Sequence, residues 1–108
     1  MQVKSILTHV TYDDKHPKLE VLLDTERSRE IRIAFQSGQH LKEHQAAVPI
    51  LIQVVEGEID FGTEGGRQAL PTGTLIALEP NVPHDLIATK QSIVRLSLHK
   101  DVDGRVDK

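Results

Sequence analysis

Two segments decide how this chain folds: HQAAVPILIQVVEG at residues 44–57 and PNVPH at residues 80–84. Both segments contain turn-forming residues: the first ends in a glycine, and the second contains prolines and an asparagine. Between them, sixteen residues after Gly57, stands Gly73. This spacing predicts two β-hairpins that face each other across a small barrel and carry His44 and His84 into its mouth.

Short strands are predicted along the rest of the chain as well. Apolar and polar residues alternate in short blocks that are separated by turn residues. Many short strands with such punctuation predict an all-β sandwich or barrel. The predicted strands lie at residues 18–24, 31–35, 49–55, 59–61, 74–78, 84–88 and 94–98.

One stretch fits either a helix or a strand. Residues 39–47 contain good helix formers, with Ser37 as a candidate N-cap and Pro49 beyond the end. On a helix, His40 and His44 would share a face and could bind one zinc ion. On a strand they would share a face but lie roughly 13 Å apart, at ~3.3 Å per residue. The residues on both sides of this stretch are spaced as the predicted barrel requires, which favours the strand.

Composition indicates one domain with a core of its own. At 108 residues roughly 65% of the unfolded surface can be buried. The chain has no cysteine, which excludes disulfides, thiolate metal sites and thiol nucleophiles. No signal-peptide pattern opens the sequence, and no apolar run approaches the ~20 residues of a membrane span. We therefore expect a cytoplasmic protein without membrane contact.

Charge argues against nucleic acid as a partner. The formal net charge is −3, and basic and acidic residues are interspersed rather than clustered. The only aromatic side chains are Tyr12, Phe35 and Phe61. Nucleic-acid binders usually show a basic stripe, and single-strand binders add stacking aromatics. Neither feature is present in this sequence.

The two decisive segments resemble the sequence motifs of the cupins, which are small double-stranded β-helix (jelly-roll) barrels. Gly38, His44 and Gly57 stand at the intervals of the first cupin motif, and Gly73 and His84 at those of the second. Fifteen residues separate the motifs, as in compact single-domain members. The resemblance implies an all-β jelly-roll barrel.

The resemblance covers about residues 30–98 of a single domain that spans residues 1–108. Residues 99–108 are strongly charged, and we expect them to form a frayed tail.

Five positions depart from the cupin motifs. In the first motif, Ala46 takes the place of the second histidine and Ile50 that of the glutamate. In the second, Glu79, Asn81 and Ala88 replace the proline, the glycine and the asparagine. The first two changes matter most for chemistry, because the family places metal ligands at those positions.

The resemblance implies metal ligation by His44 and His84, the only two family ligands that this chain keeps. A catalytic metal normally needs about three protein ligands. A third donor could come from His40, Gln53 or Glu43, none of which holds a family ligand position. The candidate ions are divalent transition metals, namely zinc, nickel, iron and manganese.

Apolar residues replace the polar side of the first motif, so an apolar pocket with two histidines is predicted. Such a pocket suits a small molecule with an apolar body and one polar or anionic group. The predicted pocket lining is His44, His84, Ile50, Ile52, Val54, Phe61, Leu78 and Leu86.

Three functions are compatible with this pocket. The first is small-molecule binding or sensing without an essential metal. The second is catalysis, either as a metal-dependent dioxygenase or isomerase through His44 and His84 or with a histidine as general base. The third is a structural or interaction module with a vestigial pocket. No nucleophile, phosphate-loop or dinucleotide motif is present.

The N-terminal segment predicts a homodimer. Barrels this small have sheet edges whose unpaired backbone groups invite pairing with another chain. Cupins commonly add N-terminal strands to a partner's sheet, and a two-fold interface is the commonest closed assembly. Through Leu23, the segment carries more apolar side chains than one short sheet face needs: Ile6, Leu7, Val10, Leu19, Val21 and Leu22.

Overall fold

The computed structural model describes residues 1–106, which form two antiparallel sheets. The strands are β1 Lys18–Asp24, β2 Ser28–Phe35, β3 His40–His44, β4 Ile50–Glu56, β5 Glu58–Thr63, β6 Gly66–Pro71, β7 Leu75–Leu78, β8 His84–Ala88 and β9 Ser92–His99. One sheet has the order β1-β2-β9-β4-β7, and the other β3-β8-β5-β6. Within residues 1–106 no helix is long and apolar enough to cross a membrane.

The core lies between the two sheets and confirms the predicted all-β barrel. Alternate side chains of each strand point inward, as period-two patterning requires. Burying apolar area of this kind contributes about 1.5–3 kcal/mol per large side chain. The most deeply buried members come from both sheets: Ile33, Phe35, Ile52, Val54, Ile59, Phe61, Leu70, Leu86 and Val94.

Left-handed backbone at the motif glycines explains why the motifs keep them. Gly57 joins β4 to β5 at φ +94°, and a Cβ there would lie 2.7 Å from the Cα of Ser92. Only glycine meets both demands. Asn81 stands where the second cupin motif has glycine and adopts φ +64°, which asparagine tolerates better than most residues. The turn before β8 therefore survives the substitution.

Residues 39–47 fit either a helix or a strand in the sequence, and the structure shows a strand there, β3. Strand β6, in contrast, was not among the predicted strands. It is an edge strand in which Leu70 alone is buried, so its sequence shows no alternation between polar and apolar residues.

The N-terminal segment is held against the outer face of its own sheet by Arg32. This side chain is 3% exposed. Its Nη1 donates to the carbonyl oxygens of Ile6 and Thr8 at 3.2 and 2.9 Å, and its Nη2 to that of His9 at 3.3 Å. Glu20 balances the charge at 3.1 Å. Carbonyl groups that would otherwise lack partners are thus satisfied.

The chain turns back on itself after β9. The backbone N–H of Lys100 donates to the carbonyl of Arg27 at 2.9 Å, and Val106 packs against the core. The expected frayed tail spans 99–108, of which residues 107–108 lie outside the described residues.

Candidate functional site

The pairing of β3 with β8 places His44 opposite His84 inside the barrel. The centroids of the two imidazole rings are 4.3 Å apart, and the rings are tilted by 58°. Phe61 from β5 also stacks on His84, with ring centroids 5.9 Å apart. The motif spacing predicts this approach of the two histidines, and the structure confirms it.

A β-bulge in β3 decides which of its histidines faces inward. Leu41 pairs with Leu86 in regular register, whereas His44 pairs with His84, so β3 has one residue more than β8 between these pairs. An extra residue reverses the alternation of faces. His44 therefore shares the inner face with Leu41, and His40 lies on the outer face. The expectation that His40 and His44 share one face of the strand was wrong.

His84 is 1% exposed and carries an unsatisfied nitrogen. Its Nδ1 lies 2.8 Å from the carbonyl oxygen of Val82. A carbonyl only accepts, so Nδ1 carries the hydrogen and Nε2 presents a lone pair. That Nε2 is buried and has no hydrogen-bond partner among the described residues. Burial lowers the pKa of His84, and the neighbouring His44 lowers it further, so the imidazole is neutral at pH 7.

His44 is oriented in the same way as His84. Its Nδ1 lies 2.9 Å from the carbonyl oxygen of Lys42 and therefore donates the hydrogen bond. Unlike His84, the side chain is only partly buried. The pair therefore consists of one deep imidazole and one nearer the solvent.

A cavity of about 420 Å³ lies beside this pair, between the β5–β6 hairpin and β7. Two of its lining residues also contact His84, because Phe61 stacks on the ring and Val82 accepts its hydrogen bond. The residues that line the cavity are Phe61, Thr63, Gly65, Gly66, Arg67, Gln68, Ile76, Leu78 and Val82.

The predicted pocket residues separate into two groups. Phe61 and Leu78 line the cavity. The other four apolar residues are packed in the core and are at most 4% exposed: Ile50, Ile52, Val54 and Leu86. Period-two patterning correctly identifies the inward face of a strand, but it does not distinguish the wall of a cavity from the tightly packed core.

The candidate third metal donors lie away from the pair. His40 donates from Nε2 to Asp85 at 2.8 Å on the outer face of the four-stranded sheet. Gln53 lies on the outer face of the other sheet, where its Oε1 is 3.4 Å from Nη1 of Arg95. Glu43 is exposed beside the β3 bulge. Strand alternation and the bulge together keep all three from joining His44 and His84.

These donors do not fit a catalytic metal centre. Two imidazoles are fewer than the three protein ligands that such a centre normally needs. Ile50, at the glutamate position, is part of the apolar core, and Ala46 packs against it. In residues 1–106 no three His, Cys, Asp or Glu side chains come together so that they could hold a metal ion.

An ionic cluster on the outer face of β8 was not predicted as a unit. Arg67 donates to both carboxylate oxygens of Asp85 at 3.0 Å and to Asp60 at 3.0 Å, and His40 completes the group. The hydrogen bonds from Arg67 and His40 lower the pKa of Asp85, and the bond from Arg67 has the larger effect. Gly62 makes room for the cluster, because a Cβ there would collide with Arg67 and Asp85. Alternation does predict that Asp85 and His84 face opposite ways, as observed.

A second cavity, of about 380 Å³, lies on the outer side of the five-stranded sheet, away from the histidine pair. The N-terminal segment contributes Lys4 and Ile6 to its wall, and β4 and β9 contribute Gln53 and Arg95.

Known structures share this fold. An RmlC-like cupin from Desulfovibrio desulfuricans is 24% identical, with a TM-score of 0.80 over 90% of this chain and 94% of that one. A double-stranded β-helix protein from Klebsiella pneumoniae is 18% identical, with a TM-score of 0.85 over 100% and 98%. KdgF from a Halomonas species is 18% identical, with a TM-score of 0.72 over 90% and 93%. These similarities identify the double-stranded β-helix fold.

None of the curated proteins matches the chain. The family model for AraC-like ligand-binding domains matches residues 29–99, which include both histidine motifs and every strand from β3 to β9. The chain therefore belongs to the family of AraC-like ligand-binding domains.

Proposed function

We propose that this protein binds a small molecule in the barrel, beside His44 and His84, and needs no metal to do so. One observation carries the proposal: Nε2 of His84 is a buried acceptor without a partner among the described residues. Leaving such a group unsatisfied costs about 1–3 kcal/mol, which a bound hydrogen-bond donor would recover. Unsatisfied buried groups are rare in native proteins, and a functional role is one of their explanations.

The adjoining cavity supports the same proposal. Its volume of about 420 Å³ lies within the range of small-molecule sites, roughly 300–1,000 Å³. Apolar side chains form part of its wall, and Thr63, Arg67 and Gln68 add polar groups. That combination is typical of sites that bind an apolar body and orient it through one or two hydrogen bonds.

A cavity-narrowing variant tests the proposal. Leu78→Phe reduces the space beside Phe61, whereas Ala77→Val changes the neighbouring residue on the outer face of β7. We expect probe alcohols and phenols to shift the amide NMR signals of Phe61 and Val82 in the wild type and in Ala77→Val. The shifts should be lost in Leu78→Phe. Equal shifts in all three proteins would contradict the proposal.

The alternative function is that of a metal-dependent enzyme of the dioxygenase or isomerase type that uses His44 and His84. Metal analysis of protein purified without a histidine tag separates the two. Stoichiometric iron, manganese, nickel or zinc, lost in His84→Leu, would favour the enzyme and contradict metal-free binding.

We also propose a homodimer through β1, in the cytoplasm. Among the described residues β1 pairs only with β2, so its other edge is open. Leu19 and Val21 point toward the barrel side yet are 50% and 53% exposed. Open edges with apolar side chains favour association. Light scattering should give twice the 12.1 kDa of one chain, and Val21→Lys should shift the mass toward the monomer. A monomeric wild type would contradict this proposal.

A further inference from the structure

We propose that the cavity on the outer side of the five-stranded sheet is a second binding site, which takes a small organic acid by its carboxylate. The N-terminal segment forms the wall of this cavity together with β1, β2, β4 and β9. Its volume of about 380 Å³ lies within the range of small-molecule sites, roughly 300–1,000 Å³. The two cavities share no lining residue, so this site is independent of the one in the barrel.

The N-terminal part of the wall is fixed on both sides of Lys4. The side-chain amide of Gln2 makes two hydrogen bonds to the backbone of Asp24: Nε2 donates to the carbonyl oxygen at 2.9 Å, and the Asp24 N–H donates to Oε1 at 3.2 Å. On the other side, Arg32 donates to the carbonyl oxygen of Ile6 at 3.2 Å. Lys4 therefore lies between two anchored residues, and the cavity has a defined wall.

The charged residues of the wall favour an anion. Lys4 and Arg95 line the cavity as cations, and Glu30 is the one carboxylate among its lining residues. Glu30 already accepts from Nε of Arg95 at 2.9 Å, and Glu20, which lines a neighbouring cavity, is paired with Arg32. None of the ion pairs formed within residues 1–106 includes Lys4. Two cations against one carboxylate leave one positive charge for a ligand.

Arg95 has hydrogen-bond donors left for such a ligand. Its Nη1 lies 3.4 Å from Oε1 of Gln53, which is long for a hydrogen bond, and its Nη2 has no partner among the described residues. The side chain is 39% exposed, so the guanidinium is accessible. The planar fork of an arginine matches the two oxygens of a carboxylate, and Lys4 would add a second charge-assisted hydrogen bond.

The remaining wall suits the hydrocarbon part of an organic acid. Four lining residues are apolar and only partly buried: Ile6, Leu22, Leu23 and Val55. A hydrocarbon chain that covers them would remove further apolar area from water, which favours binding. The cations would then select the acid over a neutral molecule of the same length.

Three probes with the same hydrocarbon chain separate these contributions: hexanoate, which is an anion, 1-hexanol, which is neutral, and hexylamine, which is a cation at pH 7. We expect hexanoate to bind about tenfold more tightly than hexanol, and hexylamine to bind more weakly than either. Added salt should weaken the binding of hexanoate and leave that of hexanol unchanged. Dissociation constants come from NMR titration of the amide signals of Ile6, Leu22 and Val55, while those of Phe61 and Val82 report on the barrel cavity.

Two variants locate the effect on the cations of the wall. Lys4→Gln removes one of them, and Gln53→Glu places a carboxylate beside Arg95 without changing the volume of the side chain. Each should lower the affinity for hexanoate toward that for hexanol and leave hexanol binding unchanged. Lys90→Gln removes the same charge in the exposed turn between β8 and β9, and it should leave the binding of all three probes as in the wild type.

Hexanol binding as tightly as hexanoate, or an affinity for hexanoate that neither Lys4→Gln nor Gln53→Glu lowers, would overturn the proposal. So would shifts confined to Phe61 and Val82, which would place the probes in the barrel, or the absence of shifts at Ile6, Leu22 and Val55 at saturating concentration. The comparison of the three probes in the wild type stands even if a variant does not fold.

Discussion

The two faces of the β3–β8 strand pair each carry a histidine cluster, and the two clusters are built in opposite ways. On the outer face, His40 and Arg67 surround Asp85, and every charged group has a partner of opposite sign. On the inner face, His44 meets His84, and Nε2 of His84 is buried without a hydrogen-bond partner among residues 1–106. The same two strands thus carry a satisfied polar cluster and an unsatisfied one.

This difference indicates which cluster serves the fold and which serves a ligand. A satisfied network needs nothing further and stabilises the pairing of the strands it connects. An unsatisfied buried acceptor weakens the fold, and proteins retain such features at functional sites. By this reasoning the outer cluster is structural. The inner pair is where we propose that a ligand binds.

The largest expected effect is on the inner face. Phe61→Ala removes the ring that packs under His84 and leaves a cavity in the core, which should lower the free energy of unfolding by about 3–5 kcal/mol. Asp60→Ala, on the outer face of the same strand, is the matched control and should cost well under half as much. Urea denaturation followed by circular dichroism measures both. Similar losses in the two variants would mean that the faces do not differ as described.

The next effect breaks the outer cluster. Asp85→Ala removes the carboxylate that Arg67 and His40 share and leaves two donors without their main partner. Because Arg67 is 43% exposed, water replaces part of what is lost, and we expect a cost of about 1–2 kcal/mol. Added salt should weaken the wild type and bring it closer to the variant. If affinity for phenol also falls in Asp85→Ala, the two faces are coupled and the outer cluster is more than structural.

The inner pair was predictable from the sequence, whereas the outer cluster was not. The spacing from Gly38 through His84 resembles that of the cupin motifs, and this resemblance implies two facing hairpins in which His44 and His84 approach each other. The bulge in β3 leaves no mark in the sequence, because no glycine or proline stands at Lys42 or Glu43. A prediction that does not include the bulge therefore places His40 on the wrong face of the strand. The outer cluster joins three strands, and its partners emerge only from the register between them.

The third prediction separates the two clusters by pH. The folded state lowers the pKa of His84, so the unfolded chain binds its proton first, and stability should fall as the pH drops below about 6.5. Asp85 also has a lowered pKa, and its contribution is present above about pH 4 and is lost as the pH falls further. The free energy of unfolding of the wild type should therefore fall in two windows. The upper one should be reduced in His84→Leu and the lower one in Asp85→Asn.

The smallest expected effect is the most informative, since it concerns the nitrogen without a partner. His84→Leu removes the buried Nε2, worth about 1–3 kcal/mol as an unsatisfied group, but it also removes the hydrogen bond from Nδ1 to Val82, worth about 1 kcal/mol. Leucine has nearly the volume of histidine, so the packing against Phe61 should change little. We therefore expect a net change within about 1 kcal/mol of zero, of either sign, at pH 7, where His84 is neutral.

In His84→Leu, we therefore expect ligand binding to change while the stability of the fold does not. Thermal unfolding of His84→Leu should be close to that of the wild type, while its binding of the phenol probes weakens. A large loss of stability would mean that Nε2 already has a partner within the folded protein, such as a buried water molecule held between the two imidazoles. In that case His84 would belong with the satisfied groups of the outer face, and the contrast between the two faces of β3 and β8 would no longer hold.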